Sequence, residues 1–188
     1  MGTGEILLVS LGLVLHLFEM TVKAGATQAA MRRRKILFFG CIFALVELAL
    51  VAAGFVVMWF LERVLPLEIQ RGLPMAGSFI LLFLLGVYEF SQFRRKDDFE
   101  ESRGEGLQAK KCVADGIRMG LLAFVVGLGG YYIYPGKAVS VAGIWLALCL
   151  TAFAGLGYGY WYGWKGRGLS AVCGCVFMAA ALGVAFAG

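Results

Sequence analysis

Residues 36–61 read ILFFGCIFALVELALVAAGFVVMWFL, an apolar run broken by one charged side chain, Glu47. A run of about 20 mostly apolar residues is long enough to cross a bilayer as a helix, whereas a buried helix of a soluble domain is shorter. The basic cluster Arg32–Lys35 precedes the run, and Trp59 and Phe60 close it. A cationic flank at one end and aromatic rings at the other are the marks of the two membrane interfaces. The chain therefore starts from a membrane-spanning helix that carries a carboxylate in its middle.

Five further runs extend the pattern: 5–23, 74–93, 113–134, 138–162 and 168–187. The reading is an all-α integral membrane protein of six transmembrane helices. Composition agrees: 61% of residues are hydrophobic and 15% charged, against about 45–50% and about 25% in soluble domains. Mean hydropathy is +0.83. The first run lacks a basic leader and carries His16 and Glu19 inside it, so it is kept as a span and not read as a cleaved signal.

Lysine and arginine alternate between the two sides unequally. Thirteen fall on one side, three (Arg63, Arg71 and Lys137) on the other, and Arg118 lies within the fourth run. Positive charge is retained in the cytoplasm, which puts the thirteen inside and both termini outside the cytoplasmic membrane. The net charge of +5 is thereby a product of insertion, and no nucleic-acid partner is needed to explain it. The five cysteines sit in or at the edges of apolar runs, which argues against a disulfide framework. Cys173 and Cys175, two apart on a helix, face nearly opposite sides.

The segment 94–112, densely and oppositely charged, reads as a cytoplasmic linker between halves 1–93 and 113–188. Three spans per half insert the second half upside down relative to the first, the plan of an inverted repeat common in secondary transporters. Residues 42–54 (IFALVELALVAAG) and 144–155 (IWLALCLTAFAG) share a loose pattern across the halves. Gly155, Gly159 and Gly163 form a stripe that admits a neighbouring helix closely. Tyr158, Tyr160, Trp161, Tyr162 and Trp164 cluster at the cytoplasmic end of the fifth run, and Tyr131, Tyr132 and Tyr134 at the outer end of the fourth, as an aromatic belt does.

Ionisable groups within a span are costly and mark function by default. They are His16, Glu19, Glu47, Glu89, Asp115 and Arg118. At about 1.5 Å per residue His16 and Glu47 both fall near the midplane, and Glu89 about one turn from the cytoplasmic end. Glu19 lies on the His16 face. His16, Glu19 and Glu47 can form a cation site or a proton relay, and imidazole with carboxylate suits Mn²⁺, Zn²⁺ or Fe²⁺. The alternative is that His16 bonds to Glu47 only to join helices. Glu89, Asp115 and Arg118 read as ion pairs between helices.

These segments together resemble the small manganese efflux pumps (the MntP-like family). GLVLHLF (12–18) with KAGAT (23–27) is similar to that family's G-x-S-x-D-A-F and K-G-A-T segments. GCIFALVE (40–47) with Gly54-Phe55 resembles its G-x-I-F-x-x-V-E…G-W stretch. FLLG (83–86) and LAFVVGLG (122–129) resemble its F-L-G turn and its D-A-x-A-V-G-x-G segment. The resemblance implies six spans in two inverted halves and export of a divalent cation by alternating access. The family has membrane aspartates where this chain has His16 and Leu122, and only Glu47 matches directly; Glu19 stands as a substitute carboxylate.

The expectation is thus a divergent small secondary transporter exporting a divalent cation, manganese-like, with no cofactor of its own. Two alternatives stay open: a non-transporting homologue that serves as a partner subunit or regulator, and a transporter of another small solute. Partners are the lipid bilayer, the transported ion, and a second copy or another membrane protein. No nucleophile elbow, HExxH or phosphate loop is present, so an enzyme is not expected.

Overall fold

The computed structural model describes residues 3–28, 30–64, 67–94, 108–130, 138–164 and 167–186. Among them the regular elements are all helices: α1 (Thr3–Ala26), α2 (Arg33–Val64), α3 (Leu67–Arg94), α4 (Ala109–Met119), α5 (Leu121–Gly130), α6 (Ala138–Tyr162) and α7 (Arg167–Phe186). Helix is the form in which an apolar segment satisfies every backbone polar group internally. Three helices are long and apolar enough to cross a membrane, Leu7–Ala26, Arg33–Val64 and Gly168–Phe186, and Ala76–Ser91 is a shorter apolar one. The outer surface matches: Phe60, Leu84, Leu146, Leu150 and Phe186 are all exposed. Such a surface fits a membrane protein, because water would not tolerate so continuous an apolar face.

Two boundaries differ from the sequence-based reading. Residues 109–112 are helical and not linker, and Cys112, in the first turn of α4, is only 1% exposed. Cys112, Gly116 and Gly120 recur every fourth residue and are all buried. This face of α4 lies against α2, a Cβ at Gly116 meeting Val46 and Phe43 and one at Gly120 meeting Leu50. The fourth apolar run is also divided. α4 ends at Gly120 (φ −77°, ψ 4°), whose N–H still bonds to Gly116 O at 2.7 Å, and α5 resumes from Leu121. The tyrosines at 131–134 and the linker residues 95–107 lie outside the described residues.

Close glycine contacts set the packing directions. Along α6, Gly155 abuts Phe18 and Thr21 of α1, and Gly159 abuts Val22, so α1 and α6 run parallel. The expected glycine stripe therefore does admit a neighbour. Gly163 lies at φ 73° and ends α6, its N–H bonding back to Gly159 O at 2.9 Å, the left-handed cap that glycine tolerates best. Gly54 of α2 abuts Phe124 O, Gly127 and Leu128 of α5, and Gly127 abuts Val51, so α2 and α5 also run parallel.

The α3–α7 seam is reciprocal. A Cβ on Gly86 would meet Gly174 O and Met178 N, each at 3.0 Å; one on Gly174 would meet Gly86 O at 2.9 Å and Phe90 N at 3.0 Å. These two helices are antiparallel. α7 packs on α1 as well, and it thereby draws α1 and α3 toward each other.

Candidate functional site

Among the described residues the buried ionisable side chains lie along one column. His16, Glu19, Glu47, Glu89 and Ser170 are 7%, 5%, 1%, 3% and 5% exposed. α1 supplies His16, Glu19 and Lys23, a spacing of three and then four residues that aligns them on one helix face. α2 supplies Glu47, α3 supplies Glu89, and α7 supplies Ser170 and Cys173.

His16 Nδ1 donates to Glu89 Oε1 at 3.0 Å. The sequence-based alternatives had His16 with Glu47 and Glu89 near the cytoplasmic end, paired with Arg118. The structure instead joins His16 to Glu89. Counting along a helix gives distance along its own axis, whereas the height of Glu89 relative to His16 depends on how α7 holds α3 beside α1. Glu47 is within electrostatic range of His16. The side chain of Arg118 lies outside the described residues, and with it the ion-pair reading of Arg118. Asp115 is half-buried on α4.

Glu19 Oε1 accepts two bonds, from Ser170 Oγ at 2.6 Å and from Lys23 Nζ at 2.9 Å. The Lys23 ammonium also sits 4.5 Å from the centroid of the Trp164 ring, a cation–π contact. Cys173, fully buried, lies near Glu89 and Glu19, and its Sγ donates to Gly12 O at 3.4 Å.

Two carboxylate oxygens in this column, Glu47 Oε1 and Glu19 Oε2, are buried without a hydrogen-bond partner among the described residues. An unsatisfied buried polar atom is expensive and rare in native proteins. Glu47 is the sharper case. It is one of the largest fully buried side chains, and its Oε2 lies 3.3 Å from where a Gly120 Cβ would stand. The buried carboxylate therefore faces the point at which the α4–α5 helix is interrupted. Backbone bonds continue on both sides of that point, Gly120 N–H to Gly116 O at 2.7 Å and Phe124 N–H to Gly120 O at 3.2 Å, so the interruption is a single turn residue.

Among the described residues three carboxylates, Glu19, Glu47 and Glu89, share the column with one lysine and one imidazole. With all three ionised, these acids outnumber these cations even when His16 is protonated. Among the described residues, no three His, Cys, Asp or Glu side chains gather closely enough to hold a metal ion. His16, Glu19 and Glu47 are strung along the column in this conformation.

Sequence reasoning named His16, Glu19 and Glu47, all buried here, and did not give the contacts of Lys23, Ser170 and Cys173 or the nearness of Gly120 to Glu47. The fourth-residue recurrence of Cys112, Gly116 and Gly120 was a readable signal for the α2–α4 contact. Ser170 had none, since a lone serine in an apolar run is ordinary.

No protein-family model matches the chain, and no curated protein or solved structure is similar to it. What fold and site define is a helical, apolar-surfaced protein with a buried column of acids around one histidine.

Proposed function

We propose that the chain is a small secondary transporter of divalent cations, manganese first among them, exporting the ion across the cytoplasmic membrane by alternating access. Six spans in two inverted three-helix halves carry it, with α4 and α5 together forming the fourth span and both termini outside. The observation that carries the reading is Glu47: a central carboxylate, 1% exposed, with Oε1 unpartnered among the described residues, set against the turn at Gly120 between α4 and α5.

The packing supports the inverted halves. Aligning Phe18 with Phe124 and Gly54 with Gly155 makes two seams equivalent: Gly155 against Phe18 and Thr21, Gly54 against Phe124 and Gly127. The third pair of helices, α3 and α7, meets itself reciprocally at Gly86 and Gly174. A two-fold axis crossing between antiparallel helices produces this set of contacts, and inverted-repeat transporters have such an axis in the membrane plane.

The same alignment matches His16 with Leu122, Glu47 with Leu148 and Glu89 with Phe177, and all three partners are buried and apolar. The acids and the imidazole of the column therefore come from the first half, and the second half faces them with apolar side chains and the hydroxyl of Ser170. In the manganese exporters that the chain resembles, an acid stands in each half. Retention of Glu47 supports cation handling, and His16 and Glu19 would complete the ion's path.

The test is transport by purified protein in liposomes loaded with a metal-quenched dye. Mn²⁺ should enter down an imposed gradient and Glu47→Gln should abolish entry. No movement of Mn²⁺, Zn²⁺ or Fe²⁺ under any gradient would overturn the proposal. One observation favours a second reading, a non-transporting partner subunit: Leu122 is 5% exposed in the core at a position where the exporters carry an acid. That reading expects a specific membrane protein to co-purify with the chain and with its Glu47→Gln variant alike.

A further inference from the structure

The column is fastened at one end. Ser170 of α7 donates to Glu19 of α1 at 2.6 Å, Lys23 holds the same oxygen at 2.9 Å, and Trp164, in the α6–α7 connection, lies over the Lys23 ammonium. In the two-half alignment Glu19 corresponds to Val125 and Ser170 to Leu82, both apolar. The counterpart seam, α5 against α3, is therefore without this fastening. Two equivalent seams fastened unequally are what an inverted repeat has when one side is shut.

We infer that Lys23, Glu19, Ser170 and Trp164 form the lock that closes the column at the end where α1 finishes, and that this structure is the state shut on that side. The inference rests on the two-half transporter reading. Opening requires α1 and α7 to part, which breaks the Ser170–Glu19 bond and the Cys173–Gly12 contact beyond it. The lock is polar because it must open: a hydrogen bond to a carboxylate is exchanged for water once the seam is wetted, whereas apolar packing is not. Lys23 neutralises Glu19 while the seam is dry.

Cys173 reports on the lock without any transport assay. It is 0% exposed, one turn beyond Ser170, and its thiol lies in the same seam. With Cys41, Cys112, Cys149 and Cys175 replaced by alanine, vesicles of both orientations are treated with a charged, membrane-impermeant methanethiosulfonate. Cys173 should be nearly inert in this parent, in which the lock is intact. Ser170→Ala and Lys23→Met should speed its labelling about ten- to a hundred-fold, the shift expected on losing one charge-assisted hydrogen bond. That gain should appear only from the side on which α1 ends. Ser170→Thr, which keeps the hydroxyl, should restore the parent rate, and Ser91→Ala, whose hydroxyl bonds within α3, should leave it unchanged.

Unfolding is monitored by thermal melting in detergent, and a denatured variant would label from both sides. Labelling that stays at the parent rate in both folded variants, or rises equally from both sides, overturns the lock. If liposomes move no cation while one-sided labelling appears, the lock stands and the transport assignment falls. If cation moves and Cys173 stays closed in every variant, the reverse holds.

Discussion

Glu47→Leu should stabilise the folded protein while removing the proposed transport. The carboxylate is 1% exposed and Oε1 has no partner, so the folded state carries the desolvation cost of a polar atom left unsatisfied, about 1–3 kcal/mol. Leucine removes that cost and fills similar volume. Under the proposed two-half alignment the position that corresponds to Glu47 already holds a leucine, Leu148, at 0% exposure. The gain is therefore set at about 1–3 kcal/mol, lowered by whatever strain the branched side chain meets beside Leu50 and Gly120. Reversible unfolding by denaturing detergent in mixed micelles, followed by circular dichroism, measures it. Glu47→Gln, which keeps a polar group of the same shape, separates loss of charge from loss of polarity. If Glu47→Leu instead unfolds more readily than the parent by 1 kcal/mol or more, on the order of one lost hydrogen bond, Glu47 is a structural tie between helices. The argument for a functional carboxylate then fails.

Glu89→Leu should have the opposite sign, because it strands His16 in the interior; a cost of about 3 kcal/mol is expected, with most of it recovered in the double variant His16→Leu/Glu89→Leu. A double-mutant cycle by the same unfolding assay checks it, and additive losses would disprove the pair. Gly155→Val and Gly54→Val should each disrupt assembly, since an added Cβ runs into α1 backbone in one case and α5 backbone in the other. Gly77→Ala, with nothing within 4 Å of the new atom, should raise stability by about 0.5–1 kcal/mol through helix propensity; melting temperatures of the three variants decide. Alkaline phosphatase fused to the C-terminus should be active, as an extracytoplasmic terminus requires, and an inactive fusion with good expression would reverse the orientation.

The helical class and the membrane setting were legible in residues 36–61 alone. Hydropathy is a local sum, and a run with one charge has few other ways to fold. The glycine stripe of α6 was legible for a similar reason, since fourth-residue spacing puts small residues on one face whatever the partner. His16, Glu19 and Glu47 could be named because a charge in an apolar run is visible without any neighbour.

Their contacts could not be named, because a contact depends on the rotation and height of two helices together. His16 meets Glu89 because α7 packs on both α1 and α3. Ser170 became a partner of Glu19 through the same seam, and Gly120 matters because α4 brings it against Glu47. Hydrophobic pattern is a property of one segment, and so it identified the helices and their buried acids. The ion pair, the unpartnered oxygens and the lock belong to pairs of segments distant along the chain, and only the packed structure brings those pairs together.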